Sequence, residues 1–178
     1  MAFERTSGLT RSFLYFDSGG NPLAPYSPVS LLTSGLPSGY NVGEVVGLPS
    51  VASGRNTTYL VGVTLEWAYS GRQVPVQIDG IVFVIANAAV SASGIVFVAA
   101  TGTRTADQAP FVNHPAIRPL VRPGQSVTMN VVLCDDVAIT PQSGSANLLY
   151  YPLGIALAPA TAQYDLFPVL LQTQPFYA

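Results

Sequence analysis

Glycine and proline recur so often in this 178-residue chain, 16 and 15 times, that few apolar stretches run far without one of them. Proline fixes φ and has no backbone N–H, and glycine weakens any helix interior. What remains between them is a series of short apolar stretches of strand length, and no stretch has the 3.6-residue periodicity of a long helix. Tyr59, Val61, Val63, Leu65, Trp67 and Tyr69 fall on one face, opposite Thr58, Thr64 and Glu66, which predicts a half-buried strand. Pro123-Gly124 marks a turn before Val127, Met129, Val131 and Leu133, which alternate with Ser126, Thr128 and Asn130 and predict a second. Leu149, Tyr151, Leu153, Ile155 and Leu157 share a face across Pro152 and Gly154, and the proline there marks an edge position or a bulge. Weaker strands are expected over 12–17, 42–48, 74–78, 111–120 and 166–171, with Ser18-Gly19-Gly20-Asn21 as the turn after the first.

Residues 80–103 carry no charge over a length that could cross a bilayer. Asn87, Ser91, Ser93 and Gly94 interrupt them, however, and Gly80-Ile81-Val82-Phe83-Val84 is echoed by Gly94-Ile95-Val96-Phe97-Val98. The echo predicts two neighbouring strands, buried on both faces and joined as a hairpin, in place of a membrane helix. The total is about ten strands with no helical alternation, which points to an all-β antiparallel sandwich or barrel. The expected architecture is a single jelly roll of about eight core strands, plus extra strands at the termini. One domain is expected over 1–178, with extended arms at 1–11 and 172–178.

Charged residues make up 9% of the chain, against about 25% in an ordinary soluble protein. The formal net charge is -2, and no basic stripe exists to neutralise phosphates, so direct nucleic-acid binding is not expected. All seven basic residues are arginine. Without lysine there is no Schiff-base lysine, no lysine amine to activate a nucleophile and no phosphate-loop lysine. The single cysteine, Cys134 in Val131-Val132-Leu133-Cys134, excludes an internal disulfide framework and a multi-thiolate metal site, and reads as a small core hydrophobe. The start, Met1-Ala2-Phe3-Glu4-Arg5-Thr6, lacks the basic and then apolar pattern of a signal peptide, so synthesis in the cytoplasm is expected. The sequon Asn56-Thr57-Thr58 accordingly reads as loop chemistry.

The search for catalysis is negative. His114 is the only histidine, in a loop before Pro115, and no serine stands in a G-x-S-x-G elbow. Asp135 and Asp136 are adjacent at a strand end, where neighbours point apart, so turn capping suits them better than metal binding or acid–base work. No catalytic residue, metal or cofactor is expected. The uncharged surface instead suggests self-association. Phe3, Phe167, Phe176 and Tyr177 place aromatic rings in or near the terminal segments, where they could dock on neighbours or complete the domain's own sheets. Arg104, Arg118 and Arg122 lie in a loop-rich region and could set the register against acids of a neighbour, the alternative being solvated or internal pairing.

A lysine-free, Gly/Pro-punctuated β chain with low charge and arm-like ends resembles a small viral capsid protein. More narrowly, it is similar in size and strand pattern to the smaller of the two single-jelly-roll major capsid proteins of tailless, internal-membrane-containing phages of thermophilic bacteria, the sphaerolipovirus-like group. The resemblance implies a homo-oligomer that builds an icosahedral shell with a second, larger capsid protein, close to an internal viral membrane without inserting into it, and located in the virion. Two other classes share the composition. One is a phage head-decoration or fibre module; the other is a carbohydrate-binding β-sandwich, for which Trp67 and Tyr69 would form the sugar platform.

Overall fold

Residues 8–52, 55–105, 126–135, 149–172 and 176–177 are described by a computed structural model, and all their regular structure is β. The strands are β1 (Thr10–Tyr15), β2 (Pro28–Leu31), β3 (Val45–Gly47), β4 (Val51–Ala52), β5 (Arg55–Asn56), β6 (Leu60–Thr64) and β7 (Arg72–Gln77). They continue with β8 (Ile81–Ala86), β9 (Ile95–Thr105), β10 (Ser126–Asp135), β11 (Leu149–Tyr150), β12 (Gly154–Ala156), β13 (Leu166–Leu171) and β14 (Phe176–Tyr177). The all-β class expected from the sequence is therefore what the chain forms. Its pairing order closes two small barrels, β1-β3-β2-β6-β7 and β10-β8-β13-β12-β9, whereas a single jelly roll would set about eight strands in two facing sheets. Each barrel carries one bulge, which adds local twist to its ladder. Val61 is the extra residue between the pairs Val29↔Gly62 and Ser30↔Leu60, and Ala99 is the extra residue between Val131↔Ala100 and Val132↔Val98.

The two barrels have the same topology. In chain order, β1, β2, β3, β6 and β7 of the first correspond to β8, β9, β10, β12 and β13 of the second, and in each barrel only the first and third strands run parallel. The registers superpose residue by residue. Leu14↔Val45 matches Ile85↔Val131, Thr10↔Gln77 matches Ile81↔Leu170, and Thr64↔Val76 matches Ala156↔Val169. The loops repeat as well. An isolated antiparallel bridge, Leu23↔Ala68, recurs as Val90↔Ala160. Three residues after each bridge a non-glycine residue takes positive φ, Tyr26 at 62° and Ser93 at 68°. The N–H of Tyr26 donates to Thr64 O (2.8 Å), and that of Ser93 donates to Ala156 O (2.7 Å). Gly71 (φ 81°) donates to Tyr15 O as Tyr164 (φ 70°) donates to Ala86 O. At Gly62 and Gly154, a Cβ would fall 2.0 Å from the carbonyl oxygens of Gln77 and Leu170, which are themselves equivalent residues. The chain is thus an internal structural duplication.

The interiors repeat position by position. Phe13, Tyr15, Leu23, Val29, Val46, Ala68, Val74 and Val76 fill the first barrel. Val84, Ala86, Val90, Val96, Val132, Ala160, Phe167 and Val169 occupy the equivalent places in the second. The cross-strand pair Phe13↔Val74 becomes Val84↔Phe167, so the aromatic ring changes strand while the pair keeps its volume, the kind of exchange a packed core tolerates. Phe167, expected near an arm, is a core residue.

Several expectations need correction. The strand expected over 59–69 stops at Thr64, and within it the bulge at Val61 shifts the alternation by one residue and brings Leu60 and Val63 into the same core cluster. The echoed runs become β8 and β9, which are not paired with each other: β10 lies between them on one side, and β13 and β12 on the other. Both aim valines, Val82 with Val84 and Val96 with Val98, into one core, and Ile81 is exposed, so the first run is not buried on both faces. The strand across Pro152 splits into β11 and β12. Thr10 and Arg11, placed in an arm, belong to β1. Strand 111–120 lies outside the described residues, as do Phe3, His114, Arg118, Arg122 and Asp136.

Candidate functional site

The barrels meet along a seam where loops of the first cover β10 of the second. Between β1 and β2, residues 22–24 run parallel to β10 at the bridge Leu23↔Thr128. The N–H of Ala24 donates to Thr128 O (2.9 Å), and the N–H of Thr128 donates to Pro22 O (2.8 Å). Trp67 and Ala24 close this contact by packing with Ile85, Val127, Met129 and Val131. Burial of these side chains is worth about 1.5–3 kcal/mol each for the larger ones.

Two fully buried asparagines complete the seam. Asn130 on β10 receives no solvent, and its Nδ2 donates to Pro28 O (2.7 Å) while its backbone N–H donates to Ser27 Oγ (3.3 Å). Asn56 on β5 donates through Nδ2 to Tyr151 O and to Thr58 O (3.2 Å), and its Oδ1 accepts from the N–H of Val98 (3.1 Å). The Asn56 amide both donates and accepts, so one side chain serves backbone groups of separate segments, whereas Asn130 only donates. The sequence reads Asn56 as loop chemistry and sets Asn130 among the polar residues that alternate with the apolar ones of its strand. The one signal for Asn130 was an amide set among Val127, Met129, Val131 and Val132.

The residues singled out from sequence are not gathered into a catalytic site. Among the described residues, no three His, Cys, Asp or Glu side chains come together to hold a metal ion. Asp135 ends β10 opposite Ile95. Cys134 is a half-buried thiol against the second core, close to its expected role. Arg104 lies in β9 opposite Val127, and Phe176 and Tyr177 form β14, which pairs with Tyr150 and Leu149 of the same chain. Trp67 is 7% exposed, so it cannot serve as the face of a sugar platform, although Tyr69 is partly exposed. No helix among the described residues is long and apolar enough to cross a membrane, and the uncharged stretch 80–103 forms β8 and most of β9.

The surface is apolar in places. Leu9, Val42, Tyr59 and Leu157 are 61%, 59%, 46% and 45% exposed. Tyr59 meets Tyr151 edge-on, with ring centroids 5.8 Å apart. The guanidinium of Arg11 lies 5.3 Å from the centre of the Phe13 ring, and that of Arg55 lies 5.8 Å from Phe97. Asp165 is held below the usual carboxylate range by the Thr161 hydroxyl (2.9 Å) and by the N–H groups of Ala162 (2.9 Å) and Thr161 (3.0 Å). Burial, with a smaller contribution from Asp17, pushes the Tyr15 phenol well above its ordinary value. No family model matches the chain, and no curated protein sequence matches it.

Proposed function

We propose that the chain is a structural subunit of a viral capsid, which self-associates and co-assembles with a second, larger capsid protein into an icosahedral shell. The observation that carries this reading is the exposure of large apolar side chains such as Leu9, Val42 and Leu157 on a chain with only seven basic and nine acidic residues to keep copies apart. In such a shell the pair of fused barrels fills the role of a jelly roll: a rigid block whose loops meet its neighbours. Many modest contacts repeated by symmetry supply the stability, so no single interface needs to be strong. The subunit would be made in the host cytoplasm and would reside in the virion near an internal membrane, without inserting into it.

The test is to mix the purified chain with each protein encoded beside its gene and follow assembly by light scattering and electron microscopy. The reading expects one neighbour to convert the chain into large, regular particles containing both proteins. Indifference to every neighbour would overturn it.

A further inference from the structure

The duplicated fold places a used interface and an unused copy of it in the same molecule. Within the chain, Ala24 and Trp67 of the first barrel pack with Val127, Met129 and Val131 on β10 of the second, and Pro25, next to Ala24 in the chain, is buried as well. By the repeat's register their equivalents on the second barrel are Ser91, Ala92 and Pro159, and all three are exposed. The covered side behaves in the same way. Val127, Thr128 and Asn130 on β10 are buried, whereas the equivalent positions in the turn leading into β3, Asn41, Val42 and Glu44, are exposed. Val42, at 59% exposure, stands where Thr128 receives the loop of the first barrel. Leu157, two residues before Pro159 in the chain, and Tyr40, two before Val42, are exposed apolar residues as well. Glu44 is the one charge among these six equivalents, and its carboxylate already accepts from the N–H of Asn41 (2.8 Å).

We propose that copies of this chain associate head to tail, the second barrel of one copy setting its 89–93 loop and Pro159 over Val42 of the next, as the first barrel covers the second within each chain. The contact is heterologous, so its repetition closes a ring or extends a filament, according to the rotation between copies. The inference rests on the self-association in the assembly reading and assigns it a surface.

The experiment is sedimentation velocity on the full chain and on two variants, Val42→Asp and Ala92→Asp, each checked for a wild-type thermal melt. If either variant melts early, Val42→Ser and Ala92→Gln replace the pair. The wild type is expected to exceed its 18.7 kDa monomer mass increasingly with concentration. Each variant should associate about a hundredfold more weakly, because a carboxylate would be desolvated in an apolar contact. An equimolar mixture should form a species of twice the monomer mass and nothing larger, since each variant retains the half that the other lacks. A monomeric wild type, a variant that associates as the wild type does, or a mixture that stays monomeric would overturn the inference. Complementing variants together with a wild-type chain that builds no particles with any neighbour would leave this contact standing and remove the capsid reading.

Discussion

Replacing Asn56 by alanine tests whether the seam is held by buried amides. The substitution removes two donors, to Tyr151 O and Thr58 O, and the acceptor of the Val98 N–H. Val98 is fully buried, so its N–H has no water to turn to. An orphaned buried donor costs about 1–3 kcal/mol, and each lost hydrogen bond to a part-solvated carbonyl about 0.5–1.5 kcal/mol. The sum is about 2–6 kcal/mol, which for a chain of this length lowers Tm by roughly 4–24 °C at about 2–4 °C per kcal/mol. The assay is thermal unfolding at neutral pH followed by near-ultraviolet circular dichroism. Asn56→Asp sharpens the result. It keeps the acceptor for Val98 but sets a carboxylate oxygen against two carbonyls, which raises its folded pKa above the unfolded value. Its stability is therefore recovered in part as pH falls through the raised pKa, once the protonated acid can donate to Tyr151 O. A Tm for Asn56→Ala within about 2 °C of wild type would refute the reasoning, because a loss that small is under the cost of one orphaned donor.

Other predictions follow from the same geometry. Gly62→Ala and Gly154→Ala should each destabilise by about 3 kcal/mol or more in denaturant titrations, because the new Cβ meets backbone carbonyls 2.0 Å away and backbone cannot yield as a side chain can. Similar losses at both sites are expected from the duplication, and a neutral result at one would contradict the shared register. Tyr15→Phe should be neutral or stabilising by about 1 kcal/mol, since the buried hydroxyl has no hydrogen-bond partner. The Tyr15 phenol's folded pKa lies above its unfolded value of 10.0, so wild-type stability should fall as pH rises from there, and the Phe variant should lose that alkaline slope in pH-dependent melts. For Asp165 the folded pKa is depressed, so its contribution is present above the unfolded value and lost as pH falls through the folded one. Asp165→Asn should flatten that acid limb while costing no more than about 1 kcal/mol at neutral pH, given the exposed setting of the loop.

The strand content was legible because period-two alternation and turn residues are local signals: 12–17, 74–78 and 166–171 overlap β1, β7 and β13. β2 was missed because Pro28 occupies its first position and Pro22 and Pro25 precede it, so the segment reads as loop, although a strand's first residue needs no N–H in the ladder. The duplication was hidden because the halves agree in register far more than in residue identity. Matching residues such as Val45 with Val131, Val46 with Val132, Gly62 with Gly154, Pro75 with Pro168 and Val76 with Val169 are scattered across gaps of different length. The echo that was visible, 80–84 with 94–98, joins two strands of one barrel that only share the task of aiming valines into the same core. Asn56 and Asn130 were illegible for a different reason. Their role depends on which backbones face each other across the seam, and that is a property of the fold.

Sedimentation equilibrium of the purified chain over a wide concentration range, at low and at high salt, tests the central claim most directly. Association through neutral, apolar surface predicts a mass above 18.7 kDa that rises with concentration and does not fall as salt is added. A monomer at every concentration, or an oligomer that salt dissociates, would contradict it.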